Sequence, residues 1–325
     1  MVNHTSTKYN HTVTFGVFCL ICILGYYVQK DVRQQIQEIK TGTNLPSKAT
    51  LNENTSKEIP IVCPQSRYEG APYYFSQFFE DYILDYVFLN VNKGTYIDIG
   101  AAEPSHWNVT HFFYQKNWRG INIDPMPAYA NMYKQERPED LFLNVGISDT
   151  NDTLLLYDCG KGCGLSTFDK SGAEKIAAAR SDVTFTEIKV PVTTMKQVLI
   201  EHPLEKIDFV NIDVEGWEKN VLEGFDFDHD KPDVFIIEAT IPDTPITTHH
   251  LWEQQLLENG YLFAMTDFLN RYYVSQDSPS LNQYLRRFSY IDMCVRQSKI
   301  RLGIIPTTPG KPLYPKSKPT KSVPF

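Results

Sequence analysis

The sequence predicts an α/β fold in which helices cover both faces of a mostly parallel sheet. Three observations carry this. The short β-rich runs Tyr96–Ile99 and Phe209–Ile212 each end in carboxylates and glycine, Gly100-Ala-Ala-Glu103 and Asp213-Val-Glu-Gly216. Buried parallel strands look like this where they deliver their carboxyl ends to a ligand crevice. A third run, Ile121–Asp124, ends in an acid too, and helical spacing fills the intervals between such runs.

The elements follow in order. Residues 1–11 form a polar tail, and 12–29 carry the uncharged apolar stretch Val13–Val28, a little under the roughly 20 residues of a membrane span. No small-x-small cleavage site follows it, so an uncleaved membrane anchor is expected rather than a signal peptide. The polar residues 30–66 read as a stalk, and Pro60 to Pro64 mark the approach to a body over 67–305. Within the body, Phe78–Asn90 has apolar residues at helical spacing and should cover the first strand.

Strands are expected at Tyr96–Ile99, Ile121–Asp124, Leu141–Ile147, Phe209–Ile212 and Val234–Ile237, with Tyr261–Met265 and Tyr272–Ser275 as an antiparallel edge. Helices are expected at His111–Lys116, Ala128–Gln135, Ala173–Arg180, Thr194–Glu201, Glu218–Leu222 and His249–Glu258. Thr153–Tyr157 alternates and reads as an inserted hairpin arm, with the glycine-rich 160–164 as its turn. From 306 to 325 proline and lysine dominate, the composition of a disordered extended tail.

An apolar fraction of 42% is enough for a substantial core, and a net charge of −8 argues against nucleic acid as a partner. Cys19 and Cys22 fall in the anchor. Cys63, Cys159, Cys163 and Cys294 remain, enough for two disulfides in three pairings, and Cys159–Cys163 would close a small loop. No further Cys or His cluster supplies a zinc site. Lys8 precedes the anchor, while Lys30, Arg33 and Lys40 follow it, which by the positive-inside rule favours a cytosolic body. Against that, N-x-Ser/Thr tripeptides stand at Asn54, Asn108 and Asn151, with Asn54 the attractive acceptor in the stalk. The expectation is a lumenal body in the Golgi or endoplasmic reticulum.

A strand, a glycine turn, a helix and an acid ending the next strand is the layout of a nucleoside-binding βαβ unit. Seven acids fall at the expected strand ends: Asp98, Glu103, Asp124, Asp149, Asp213, Glu215 and Glu238. Asp124 sits where a ribose partner belongs; its plainer role is a turn former before Pro125. Asp213 and Glu215 face the same side if the strand period persists. They would then bind substrate, share a proton or hold a metal; otherwise they only cap the helix near Trp217. His106, His111, His249 and His250 are candidate bases, and only His106 lies in the loop after the first strand.

Several of these segments resemble one family. They are Ser76-Gln77, Glu80-Asp81, Tyr96-Ile-Asp-Ile-Gly-Ala-Ala-Glu-Pro104, Asn108-Val-Thr110, Phe113-Tyr114, Asn117-Trp-Arg-Gly-Ile-Asn-Ile-Asp124, Asn144-Val-Gly-Ile-Ser-Asp149, Leu165-Ser-Thr-Phe168 and Ile212-Asp-Val-Glu-Gly216. In this order, from about Tyr74 to about Phe263, they are similar to the FkbM-type methyltransferases, class I enzymes that use S-adenosylmethionine (SAM). The resemblance implies a three-layer αβα sandwich on a seven-stranded Rossmann-like sheet with an antiparallel edge strand. It implies methyl transfer to a hydroxyl, of a glycan or a small molecule.

For the cofactor it implies Asp98, Gly100, Ala101 and Glu103 near the amino-acid end, Asp124 and Pro125 at the ribose, and Ser148 and Asp149 at the adenine. From their own places at the strand ends, Asp213, Glu215 and Glu238 are the candidates for catalysis, with Asp213 and Glu238 also placed to hold a divalent cation. One departure stands out. Many SAM enzymes carry two or three glycines after the first strand, and this chain has Gly100 followed by Ala101, Ala102 and Glu103. That departure supports a different function, a non-enzymatic membrane trafficking adaptor on a methyltransferase-like scaffold. A glycosyltransferase is the third reading, since Asp213-Val-Glu215 mimics its acid-x-acid metal site.

Overall fold

The computed structural model describes residues 74–242 and 244–301, with side chains to Cys294. The expected polar tail, anchor, stalk and C-terminal tail lie outside the described residues. Among the described residues no helix is long and apolar enough to cross a membrane.

Seven strands form the main sheet: β1 (Thr95–Ile99), β2 (Arg119–Ile123), β3 (Leu141–Leu143), β7 (Phe209–Ile212), β8 (Val234–Glu238), β9 (Tyr261–Thr266) and β10 (Asn270–Ser275). Their spatial order is β3-β2-β1-β7-β8-β10-β9. β1 pairs in parallel with β2 and β7, and β7 with β8. The antiparallel strand is β10, which lies between β8 and β9. It therefore sits one place in from the edge, where the sequence reading put it at the edge, and β9 is the edge strand.

Both faces are covered, which is why the central strands read as near-continuous apolar runs. Ile97, Ile99, Ile121, Val210, Ile212, Phe235 and Ile237 pack with Met195, Val198 and Leu199 of α5 (Met195–Glu201) and Val221 and Leu222 of α6 (Glu218–Glu223). The intervening residues Tyr96, Phe209 and Ile236 point the other way. They meet Ile83, Leu84 and Val87 of α1 (Glu80–Val87), Phe112 and Phe113 of α2 (His111–Gln115), and Tyr284, Phe288 and Ile291 of α8 (Leu281–Arg301). Burying each such side chain contributes about 1.5–3 kcal/mol before conformational entropy is charged.

Other departures from the sequence reading have local causes. The single strand expected over 141–147 breaks at Asn144, whose Nδ2 donates to the Asp124 carbonyl at 2.9 Å. Its second part, β4 (Gly146–Ile147), joins a separate sheet of order β4-β6-β5. There β5 (Asp152–Asp158) pairs along its length with β6 (Thr186–Thr193), and across the glycine-rich turn it makes a single bridge, Tyr157 with Thr167. α4 (Lys170–Ala179) lies between them in sequence. β6 alternates, with Ile188, Val190 and Val192 on one face, but Pro191 on the other lacks an N–H for the ladder, and a proline within a run argues against a strand from sequence. The helix foreseen at His249–Glu258 divides at the buried Trp252 into a 3-10 turn, His249–Leu251, and α7 (Glu253–Glu258).

Candidate active site

The crevice lies at the carboxyl ends of β2, β1, β7 and β8. On one side, Asp124 follows β2 and is 6% exposed. Its Oδ2 accepts from the Ala102 amide at 3.0 Å and its Oδ1 from the Met126 amide at 2.8 Å. A carboxylate has about four acceptor positions, so two remain free of protein donors. Burial pushes its pKa up to about 7, against the two amides, which favour the ionised form. Pro125 is half-buried and leads into α3 (Pro127–Glu136).

No helix starts at the end of β1. A loop runs from Gly100 to Thr110, and Ala102 within it takes a left-handed φ of 48°. The Gly100 and Ala101 amides donate to the Ile123 carbonyl, at 2.9 and 3.1 Å, which lays the loop against the end of β2. Gly100 has φ 83°, and a Cβ there would lie 1.7 Å from the Asp213 carbonyl oxygen. The missing glycines are thus replaced by two alanines, one of them left-handed.

Asp98 is not at the mouth. It is 1% exposed and stands in register with Asn122 on β2 and Asn211 on β7. Its carboxylate accepts from Asn211 Nδ2 at 2.9 Å and Thr110 Oγ1 at 2.9 Å. Asn108 and Thr110 continue the network to Arg137 Nη1 and Nη2, at 3.0 and 2.9 Å. Arg137 in turn holds Asp140 and Tyr96, at 2.7 and 2.8 Å. This network supports the loop from beneath. Asn108 is 3% exposed and fully engaged in it, which removes it as a glycosylation acceptor. Asn151 is exposed, and Asn54 lies outside the described residues.

Glu103 is half-buried. Beside it lies the loop closed by the disulfide Cys159–Cys163, where a Cβ on Gly162 would sit 3.8 Å from Glu103 Oε1. The Gly162 amide donates to Tyr129 of α3 at 3.5 Å, so this loop borders the Asp124 side of the crevice. Ser148 and Asp149 follow β4 in the small sheet. Ser148 is buried and donates to Asp149 at 2.9 Å, and Asp149 is exposed.

On the other side, Asp213, Glu215 and Glu238 converge, with one carboxylate oxygen of each within 4.8 Å of the others. Strand period is not what aligns the first two, because β7 ends at Ile212. The chain turns instead through Glu215 (φ 54°) and Gly216 (φ 99°), and Thr167 Oγ1 donates to the Glu215 carbonyl at 2.8 Å. Neither acid caps α6. Trp217 takes the N-cap position without a side-chain bond, and Glu218 itself accepts from the Gly216 amide at 2.9 Å. Burial raises the pKa of Asp213 and raises that of Glu238 further, with Glu215 and Asp213 adding to the latter. Carboxyls this close hold a proton between them unless a cation replaces it.

Of a neighbouring cluster the sequence singled out only Glu80, in the Glu80-Asp81 segment. Asn270, the register partner of Glu238, donates to Glu80 Oε1 at 2.9 Å and to Asp267 Oδ2 at 3.1 Å. The adjoining aromatics Phe79 and Phe268 are both left-handed, at φ 66° and 94°, and exposed. Asp81 instead accepts from the Phe75 and Ser76 amides and from Ser76 Oγ, fixing the segment before α1. Of the histidines, His106 is exposed and stacks on Trp107, and His111 packs against Phe75. His249 and His250 lie on the 3-10 turn, and among the described residues no histidine joins the three converging acids.

No curated protein matches this chain. The family model for the methyltransferase FkbM domain matches residues 98–263, just over half of the chain, from the buried Asp98 to Phe263 on the edge strand. Both sides of the crevice fall within that span, and the chain belongs to the FkbM methyltransferase family.

Proposed function

We propose that this chain transfers the methyl group of SAM to a hydroxyl of a glycan or small-molecule acceptor. The observation that carries the reading is the placement of a buried nucleoside-side acid, Asp124, and three converging acids on the ends of neighbouring strands. When bound, SAM supplies an electrophilic methyl on a sulfonium. Asp124 has the acceptor capacity to hold ribose hydroxyls, and the loop from Gly100 to Glu103 lies beside it. Asp213, Glu215 and Glu238 are the groups available to take the hydroxyl proton, and methyl transfer otherwise requires mainly alignment. The acid-lined side disfavours anionic acceptors.

A membrane anchor over 12–29 with the body in the lumen is part of the same proposal. The uncharged run Val13–Val28 supports it, as does the Cys159–Cys163 disulfide, which suits an oxidising compartment. Incubating membranes that carry the full chain with methyl-labelled SAM tests the activity. Label in alkali-stable ethers that is lost with Asp213→Asn supports O-methylation. Incorporation no greater than in membranes without the chain contradicts it and leaves the trafficking adaptor.

A further inference from the structure

We infer that Asp213, Glu215 and Glu238 together bind one divalent cation through oxygen ligands; its role in turnover rests on the methyltransferase reading, its binding does not. The ligand atoms already lie within 4.8 Å of one another, a separation that fits opposite oxygens about 2.3–2.6 Å from an ion. Glu238 is 5% exposed and its Oε2 meets no donor outside the cluster, its side-chain partner being the Asp213 carboxyl. No ion pair among the described residues reaches Asp213 or Glu238. A buried carboxylate oxygen without a donor is costly, and converging like charges add to that cost. A cation removes both penalties.

Two other gatherings of acids among the described residues have donors or cations from outside the set. Glu80 and Asp267 share the Asn270 amide, Phe78 donates to Glu80, and Tyr272 donates to Asp267 at 2.7 Å. Asp226 is held by Lys196 at 2.8 Å and His229 at 3.1 Å. The strand-end acids are also held in place by backbone, since a left-handed Glu215 is disfavoured for a residue with a Cβ and persists because Thr167 and Gly216 fix the turn. With no imidazole or thiolate in the set, the ligands suit a hard ion such as Mg2+, Mn2+ or Ca2+ rather than Zn2+ or Cu2+. Such an ion beside the acceptor would lower the pKa of a bound hydroxyl and assist loss of its proton.

The test is titration of the EDTA-treated, dialysed full chain with Mn2+, reading the free ion by electron paramagnetic resonance. One site is expected. It should weaken at least about tenfold in Glu238→Gln and in Asp213→Asn, and stay unchanged in Asp228→Asn, an exposed acid away from the crevice. Circular dichroism confirms folding, and if Glu238→Gln does not fold, Asp213→Asn, at a less buried position, decides. No Mn2+ bound by the wild type, or binding that survives substitution of these acids, overturns the cation site. S-adenosylhomocysteine titrated in EDTA separates the two claims. Its binding without a Mn2+ site overturns the cation alone, and failure to bind overturns the methyltransferase reading.

Discussion

Gly100 and Asp213 are in backbone contact, close enough that a Cβ on Gly100 would lie 1.7 Å from the Asp213 carbonyl oxygen. The Asp213 amide also donates to the Ile99 carbonyl at 3.0 Å. One junction therefore positions the loop beside Asp124 and the turn that carries Asp213 and Glu215. Gly100→Ala meets backbone rather than a flexible side chain, and its φ of 83° adds left-handed strain of about 1–2 kcal/mol. The expected loss of unfolding free energy is at least about 3 kcal/mol, measured by urea denaturation. A loss below about 1 kcal/mol would show that the two turns are placed independently.

Arg137 provides the second test of how the site is supported. The Arg137–Asp140 pair is fully buried, and the guanidinium also reaches Tyr96, Thr110, Asn108 and the Pro104 carbonyl. Arg137→Ala leaves Asp140 buried without its cation and should cost about 3–5 kcal/mol. Arg137→Lys should recover little, because an ammonium cannot replace the planar fork. Full recovery by lysine would reduce the network to a simple charge pair.

Stability should depend on pH with a definite sign. Burial raises the pKa of Asp81 to about 6 and that of Asp124 to about 7. In the unfolded chain both release their protons near pH 4. The folded state thus binds more protons in between, and the stability these groups contribute is complete below about pH 4 and lost as pH rises through 6 and 7. The urea midpoint of the ligand-free protein is expected to fall between pH 5 and pH 8, and less steeply in Asp124→Asn. A midpoint that rises over this range would mean the two acids are ionised throughout.

What the sequence made legible follows from the reach of its signals. Strands buried on both faces are unbroken apolar runs, so β1, β2, β7 and β8 were readable within a residue or two. The convergence of Asp213 with Glu215 was also readable, but for the wrong reason: a left-handed residue aligns them, not strand period. Of the small sheet only β5 was readable, as the alternating arm Thr153–Tyr157; β4 has two residues and β6 contains Pro191. The bridge from Asn270 to Glu80 was not readable, being formed across 190 positions of sequence. The buried role of Asp98 depends on Asn122 and Asn211, which become its neighbours only when β2 and β7 pair with β1.

The most direct test of the account is calorimetric titration of the full chain and its Asp124→Ala variant with S-adenosylhomocysteine. The account predicts saturable binding by the wild type. It predicts affinity weaker by about tenfold or more in the variant, as loss of charge-assisted bonds of about 1.5–3 kcal/mol requires. No binding by the folded wild type, or equal affinity in a folded variant, would contradict it.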